Sequence, residues 1–251
     1  MNIRLSLLSA ALIAFSAPGN AMAQDPDWPQ HSRERPMAPV AAPADQMLPV
    51  PPPEGAIVLF DGDDLDQWRT ANGEPARWTL IEGGAMQAAR GDIETRSSFG
   101  DVRLHVEWAS PDPPRGEDQD RGNSGVFLMG RYEVQVLDSY QSRTYADGQA
   151  GAIYGQFPPR VNVSRAPGEW QTFDIEFRRP RFDAAGQLLS PARMTVRHNG
   201  VLVHDDVALL GPTSHRVRAP YEAHEDRLPI KLQDHGHPVR FRNIWVQPLD
   251  R

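Results

Sequence analysis

Short runs in which apolar and polar side chains alternate constrain this chain more than any other feature. In RYEVQVLDSY, residues 131–140, Val134 and Val136 alternate with Glu133 and Gln135. Successive side chains of a β-strand point to opposite faces, so one face of this run is core. The other face carries a carboxylate beside an amide. Similar runs recur from Ile57 onward. In VRLHVEW, Leu104, Val106 and Trp108 share a face against Arg103, His105 and Glu107. In WQTFDIEF, Phe173, Ile175 and Phe177 oppose Thr172, Asp174 and Glu176. Turn signals stand between the runs: Asp61-Gly62, Gly83-Gly84 and Asn199-Gly200. The Asn-Gly pair between RMTVRH and VLVHDD predicts a two-residue hairpin. No segment keeps a helical period. Roughly ten to thirteen strands predict an all-β fold, a jelly-roll sandwich of two antiparallel sheets. The final strand changes phase: Val239 and Phe241 are odd, Ile244 and Val246 even, which predicts a bulge near Arg242-Asn243.

The ends of the chain read differently. Residues 1–23 have the form of a secretory signal: Arg4, an apolar stretch from Leu5 to Ala17, and Ala21-Met22-Ala23 as a cleavage site. The apolar stretch is too short for a convincing membrane span. A periplasmic or secreted protein is expected. Residues 24–54 are rich in Pro and Ala and read as an extended linker or tether, leaving 55–251 as the folded domain. The chain has no cysteine, hence no disulfide, and a formal charge of −7 without a basic stripe, which argues against nucleic acid as a partner.

Polar pairs at alternate positions, His105/Glu107, Glu133/Gln135 and Gln233/His235, with Arg240/Arg242 as a fourth, are the candidate chemistry. Amides, carboxylates, imidazole and guanidinium on one sheet face suit sugar hydroxyls, which need donors and acceptors together. Tyr154 and Trp68 could stack on a sugar ring. Lys231 is the single lysine. The spacing of Glu133, Gln135 and Asp138 resembles the Glu-x-Asp-x-x-Glu signature of laminarinase-like family-16 glycoside hydrolases. Direct retaining hydrolysis needs two carboxyl groups about 5 to 5.5 Å apart. Here Gln135 stands at the central acid, and Asp138 has the wrong parity for Glu133's face. A sugar-binding module without turnover is the remaining alternative. His224, His235 and His237 are candidates to gather a divalent metal. The Asp61–Asp64 run is better read as a turn than as a calcium loop.

Taken together, LFDGDDLDQW, RGNSGVFL, YEVQVLD, GAIYG, PGEWQTFDIEF and IKLQDHGHPVRFRNIWV occur in an order that resembles the 3-keto-disaccharide hydrolase domain family over about residues 56–249. The resemblance implies a concanavalin A-like jelly roll that cleaves glycosides already oxidised at C3. A C3 ketone acidifies the C2 hydrogen. A base removes it, the enolate expels the C1 substituent, and water adds back. That path needs one base and a stabiliser of enolate charge. The resemblance points to His235 or Glu133 as base and Arg242 as stabiliser, a task a divalent metal could share. Glu107, Asn123, Gln135, Tyr154 and Gln233 are the expected substrate-binding residues. The expected partners are a carbohydrate substrate and a sugar 3-oxidoreductase to supply the ketone. Two polar insertions, 110–122 and 180–192, are positioned to tune specificity at loops.

Overall fold

Alternation along each run sorts side chains into an interior and two outer faces. A computed structural model of the chain describes residues 22–249, so the expected leader lies almost wholly outside the described residues. The strands are β1 (Ile57–Phe60), β2 (Trp68–Arg69), β3 (Thr79–Ile81), β4 (Ala85–Gln87) and β5 (Ile93–Phe99). Then come β6 (Val102–Ala109), β7 (Ser124–Leu128), β8 (Tyr132–Val136), β9 (Gln171–Arg178) and β10 (Arg181–Phe182). The last are β11 (Leu188–Ser190), β12 (Arg193–His198), β13 (Val201–Ala208), β14 (Leu228–Leu232) and β15 (Arg240–Pro248).

One sheet has eight strands in the order β13-β12-β9-β6-β15-β4-β3, with β1 also paired to β15. The other has five, β2-β5-β14-β7-β8, and all pairings are antiparallel. Leu104, Val106, Trp108, Phe173, Ile175 and Phe177 of the larger sheet form one core with Val126, Leu128, Val134, Val136, Ile230 and Leu232 of the smaller. Each large side chain buried here stabilises the fold by roughly 1.5–3 kcal/mol. The predicted sandwich is therefore present.

Local signals also hold. Asn199 and Gly200 have φ of 49° and 77° and join β12 to β13, as a primed hairpin turn requires. The register of β15 against β6 shifts between Arg242 and Trp245, with Asn243 at φ 45°. This bulge lets Phe241 and Ile244 both reach the core.

Residues 24–54 are no free tether. Their extended backbone has unpaired N–H and C=O groups, and the domain supplies partners. Ala41 N donates to Asn162 O at 3.0 Å, Asn162 N to Pro39 O at 2.8 Å, and Ala44 N to Asn199 O at 3.0 Å. Arg35 is buried and donates to the Gln156 carbonyl of the domain at 3.0 Å, and within the N-terminal segment to the carbonyls of Asp25 (3.1 Å) and Ala23 (2.8 Å). The segment is a strap. Its first half lies over loops at the smaller sheet's end, and its second half crosses the outer face of the larger sheet.

Candidate functional site

The outer face of the smaller sheet opens into a cavity of about 400 Å³. β8 supplies Glu133 and Gln135, and the paired β7 supplies Phe127, which lies opposite Glu133. Because Val134 and Val136 are locked into the core, the odd residues of β8 must point this way. Asn123 precedes β7, and Gln233 and His235 follow β14. Tyr154 and a loop of Thr213, Ser214 and His215 form the far wall. Gln119 closes the rim from the 110–122 insertion.

Glu133 is the sole carboxylic acid among the described residues lining this cavity. It is only 5% exposed, and burial pushes its carboxyl up to about 8, against the opposing charge of Lys231 and with a smaller upward push from Asp92. Its main-chain N–H donates to Thr213 Oγ1 at 3.0 Å. Room for the carboxyl comes from Gly125: a Cβ there would lie 2.4 Å from Glu133 Oε1 and 2.7 Å from Phe127 Cε2. The glycine of the Asn-Ser-Gly block is thus needed for space. Lys231 extends the same cross-strand row, its ammonium 4.0 Å from the Phe127 ring centre and 3.1 Å from Asp92 Oδ2.

Amides set the polar floor. Gln135 Nε2 donates to Gln119 Oε1 at 3.2 Å and to Asn123 Oδ1 at 3.3 Å. Asn123 Nδ2 donates to Gln119 O at 2.8 Å. Ser124 Oγ donates to Gln233 O at 2.6 Å, tying the end of β14 to β7. On the opposite wall the Tyr154 hydroxyl sits 2.8 Å from the Tyr145 hydroxyl and 3.0 Å from His215 Nδ1. His235 is exposed at the lip, its ring parallel to that of His237 at 6.1 Å. Its neighbour Asp234 is occupied in the turn, accepting from Gly91 N (2.7 Å) and Gly236 N (2.9 Å).

The structure brings Asn123, Glu133, Gln135, Tyr154, Gln233 and His235 together and sets Glu107 and Arg242 apart. Those two sit on the outer face of the larger sheet, directly opposite each other on β6 and β15. Arg242 Nε donates to Glu107 Oε2 at 2.7 Å, and Asn243 Nδ2 and Val50 N each donate to Oε1 at 2.8 Å. Burial alone would push Glu107 up. The His105 ring 3.6 Å away and the hydrogen bonds from Asn243, Val50 and Arg242 overcome it and hold the carboxyl at about 2. The guanidinium of Arg242 lies 4.1 Å from the Trp170 ring centre. The polar pairs therefore divide between two faces, because alternation assigns a face of a strand and is silent on which sheet the strand joins.

Other expectations also resolve. Asp138 is buried against Arg121 Nε at 2.7 Å and does not line the cavity. Trp68 is core, its Nε1 donating to Leu59 O at 2.8 Å. His224 contacts the Tyr132 hydroxyl at 3.0 Å and does not join His235 and His237. Among the described residues no three His, Asp or Glu side chains converge as a metal site would require, so the residues present do not fit a resident metal held that way. The 180–192 insertion forms the β10–β11 hairpin and stays off the cavity lining. Gln119, Phe127, Thr213, Ser214 and His215 went unforeseen. Only Phe127 carried a usable signal, its place between core residues Val126 and Leu128.

Comparison with known proteins identifies the domain. Residues 55–247 match the 3-keto-alpha-glucoside-1,2-lyase-like domain. The chain is 24% identical over 241 residues to the 3-keto-disaccharide hydrolase of Bacteroides thetaiotaomicron, covering 78% of this chain and 79% of that protein. A crystal structure from Parabacteroides distasonis ATCC 8503, named as a candidate glycosyl hydrolase, superposes with a TM-score of 0.75 at 40% identity. That match covers 82% of this chain and 95% of the other. A second structure from the same organism, at 19% identity and a TM-score of 0.56, shares the fold. A matched domain spanning most of the strands, with the Asn-Ser-Gly and Tyr-Glu-x-Gln blocks facing one cavity, shows that the chain belongs to the 3-keto-alpha-glucoside-1,2-lyase-like domain family.

Proposed function

We propose that this protein cleaves 3-keto-glycosides by base-assisted elimination followed by hydration. The observation that carries this reading is the solitary, deeply buried carboxyl of Glu133 among the described residues lining a polar cavity. A two-carboxylate hydrolysis lacks its second acid there. Elimination from a keto sugar needs one. Glu133 takes the C2 proton, the C2–H electron pair forms the enolate, and the enolate expels the C1 oxygen substituent. Water then adds to C1 of the enone as a proton returns to C2. Burial raises the basicity of the Glu133 carboxylate, which favours removal of a carbon-bound proton. In this reading His235 at the lip serves the leaving oxygen, and the Tyr154 hydroxyl on the opposite wall binds the sugar. The amides of Gln135, Asn123 and Gln119 hold one another, so they meet sugar hydroxyls already oriented. We further propose export to the periplasm or beyond, with a sugar 3-oxidoreductase supplying the ketone.

The test is aglycone release from a 3-keto-glucoside and from its unoxidised parent, with wild type, Glu133→Gln and His235→Ala, with and without chelator. Release from the keto sugar alone, abolished in Glu133→Gln, is expected. Release from the parent sugar would restore direct hydrolysis, and binding without release would leave a sugar-binding module.

A further inference from the structure

The strap's first half lies outside residues 55–247, the part matched to the family domain, yet it reaches the cavity wall. The His31 ring stacks on Tyr145 at 4.1 Å between centres and 28° between planes. It also lies 4.9 Å from the ring of His215 and 5.2 Å from that of Tyr154. These three rings form the hydrogen-bonded row Tyr145–Tyr154–His215 described above, and two of them line the cavity. Neighbouring strap residues anchor the same loops. Gln30 Nε2 donates to Ser214 O at 2.9 Å, and His31 N donates to Asp147 Oδ2 at 3.1 Å. Arg33 pairs with Asp118, next to Gln119 on the rim. The strap thus holds three separate wall loops with residues spaced closely along the chain.

Neither ring nitrogen of His31 has a hydrogen-bond partner among the described residues. Burial, the largest influence on it, favours the neutral ring. An imidazole without polar partners acts by its flat face and its volume. From this packing we infer that His31 is a positioning residue for the substrate, setting the Tyr154 hydroxyl and the His215 ring that receive the keto sugar. The inference rests on the keto-glycoside reading for its substrate, and on the strap alone for its geometry.

The experiment uses the full chain with His31→Ala and His31→Phe. His31 has φ 60°, so both replacements meet the same unfavourable left-handed backbone, and the difference between them isolates the ring. Turnover of a 3-keto-glucoside with a chromogenic aglycone should show KM raised about tenfold in His31→Ala, worth about 1.4 kcal/mol. The expected kcat stays within about threefold of wild type, and His31→Phe should bring KM back to within about twofold. In a Tyr154→Phe background, His31→Ala should add less than it does in wild type, because part of its effect passes through the Tyr154 hydroxyl and the rest through His215. An unchanged KM in His31→Ala, or a His31→Phe variant as poor as His31→Ala, would overturn the inference. Should wild type turn over no keto sugar, the functional reading fails on its own terms. The ligand-free crystal structure of His31→Ala then decides: a Tyr154–His215 contact kept at its 3.0 Å overturns the inference, and its loss supports it.

Discussion

Two glutamates, Glu107 and Glu133, stand at alternate positions of β-strands, point away from the same core and are both almost fully buried. Their environments are opposite. Glu107 receives three hydrogen bonds of 2.7–2.8 Å and faces a guanidinium, and its carboxyl is held at about 2. Glu133 has no donor on its carboxyl among the described residues, faces a cavity and is pushed up to about 8. The first is an ion whose desolvation is offset by its partners. The second is left uncompensated, which destabilises the ionised form and raises the basicity of the carboxylate. Burial of an acid therefore does not fix its ionisation by itself; the supply of donors around it does.

The contrast breaks most visibly in activity. Glu133→Gln should lower kcat/KM on a 3-keto-glucoside by about two to four orders of magnitude, while Glu107→Gln changes it less than about threefold. Steady-state kinetics on the two purified variants checks this, and equal losses would erase the distinction. Stability should show the reverse. Glu107→Ala leaves Arg242 uncompensated and should reduce the unfolding free energy by about 3 kcal/mol in urea titrations at pH 7.

Proton linkage sharpens the comparison. The folded-state pKa of Glu133 lies above its unfolded value of about 4.5, so the folded state holds the proton longer. Wild type should thus lose stability relative to Glu133→Gln as pH rises from 4.5 through about 8. The gap should be near zero at pH 4 and on the order of 2 kcal/mol at pH 9, softened by water in the cavity. Glu107 runs the other way: its contribution is full above about 4.5 and disappears as pH falls through about 2. Chemical denaturation across pH with both Gln variants separates the two trends. The smallest expected effect belongs to Gly125→Ala. The added methyl should displace the Glu133 carboxyl, lowering kcat about tenfold at a stability loss of about 1 kcal/mol. Full activity in that variant would mean the carboxyl's position matters little.

Much of this was legible in the chain. The alternations at Leu104–Trp108 and Phe173–Phe177, the Asn199-Gly200 hairpin and the bulge at Asn243 follow from steric periods that any strand obeys. Glu133 and Gln135 could be placed on an outer face for the same reason, whereas Gln233 and His235 lie beyond the end of β14 at Leu232. Grouping Glu107 and Arg242 with them could not be decided, because sheet membership depends on long-range pairing such as β6 with β15. Gln119 and His215 sit in loops whose course carries no period. The strap misled by composition: a Pro- and Ala-rich stretch lacks apolar anchors, yet Arg35 and a few main-chain hydrogen bonds hold it down.

One further consequence follows from Lys231, the chain's single lysine, seated against Phe127 in the row that ends at Glu133. Its side chain is 26% exposed. An amine-selective fluorophore can therefore attach at two places only, this ammonium and the chain's α-amine. After the α-amine is blocked, a reporter would sit beside the cavity without any engineered cysteine, and its emission would register occupancy of the pocket directly.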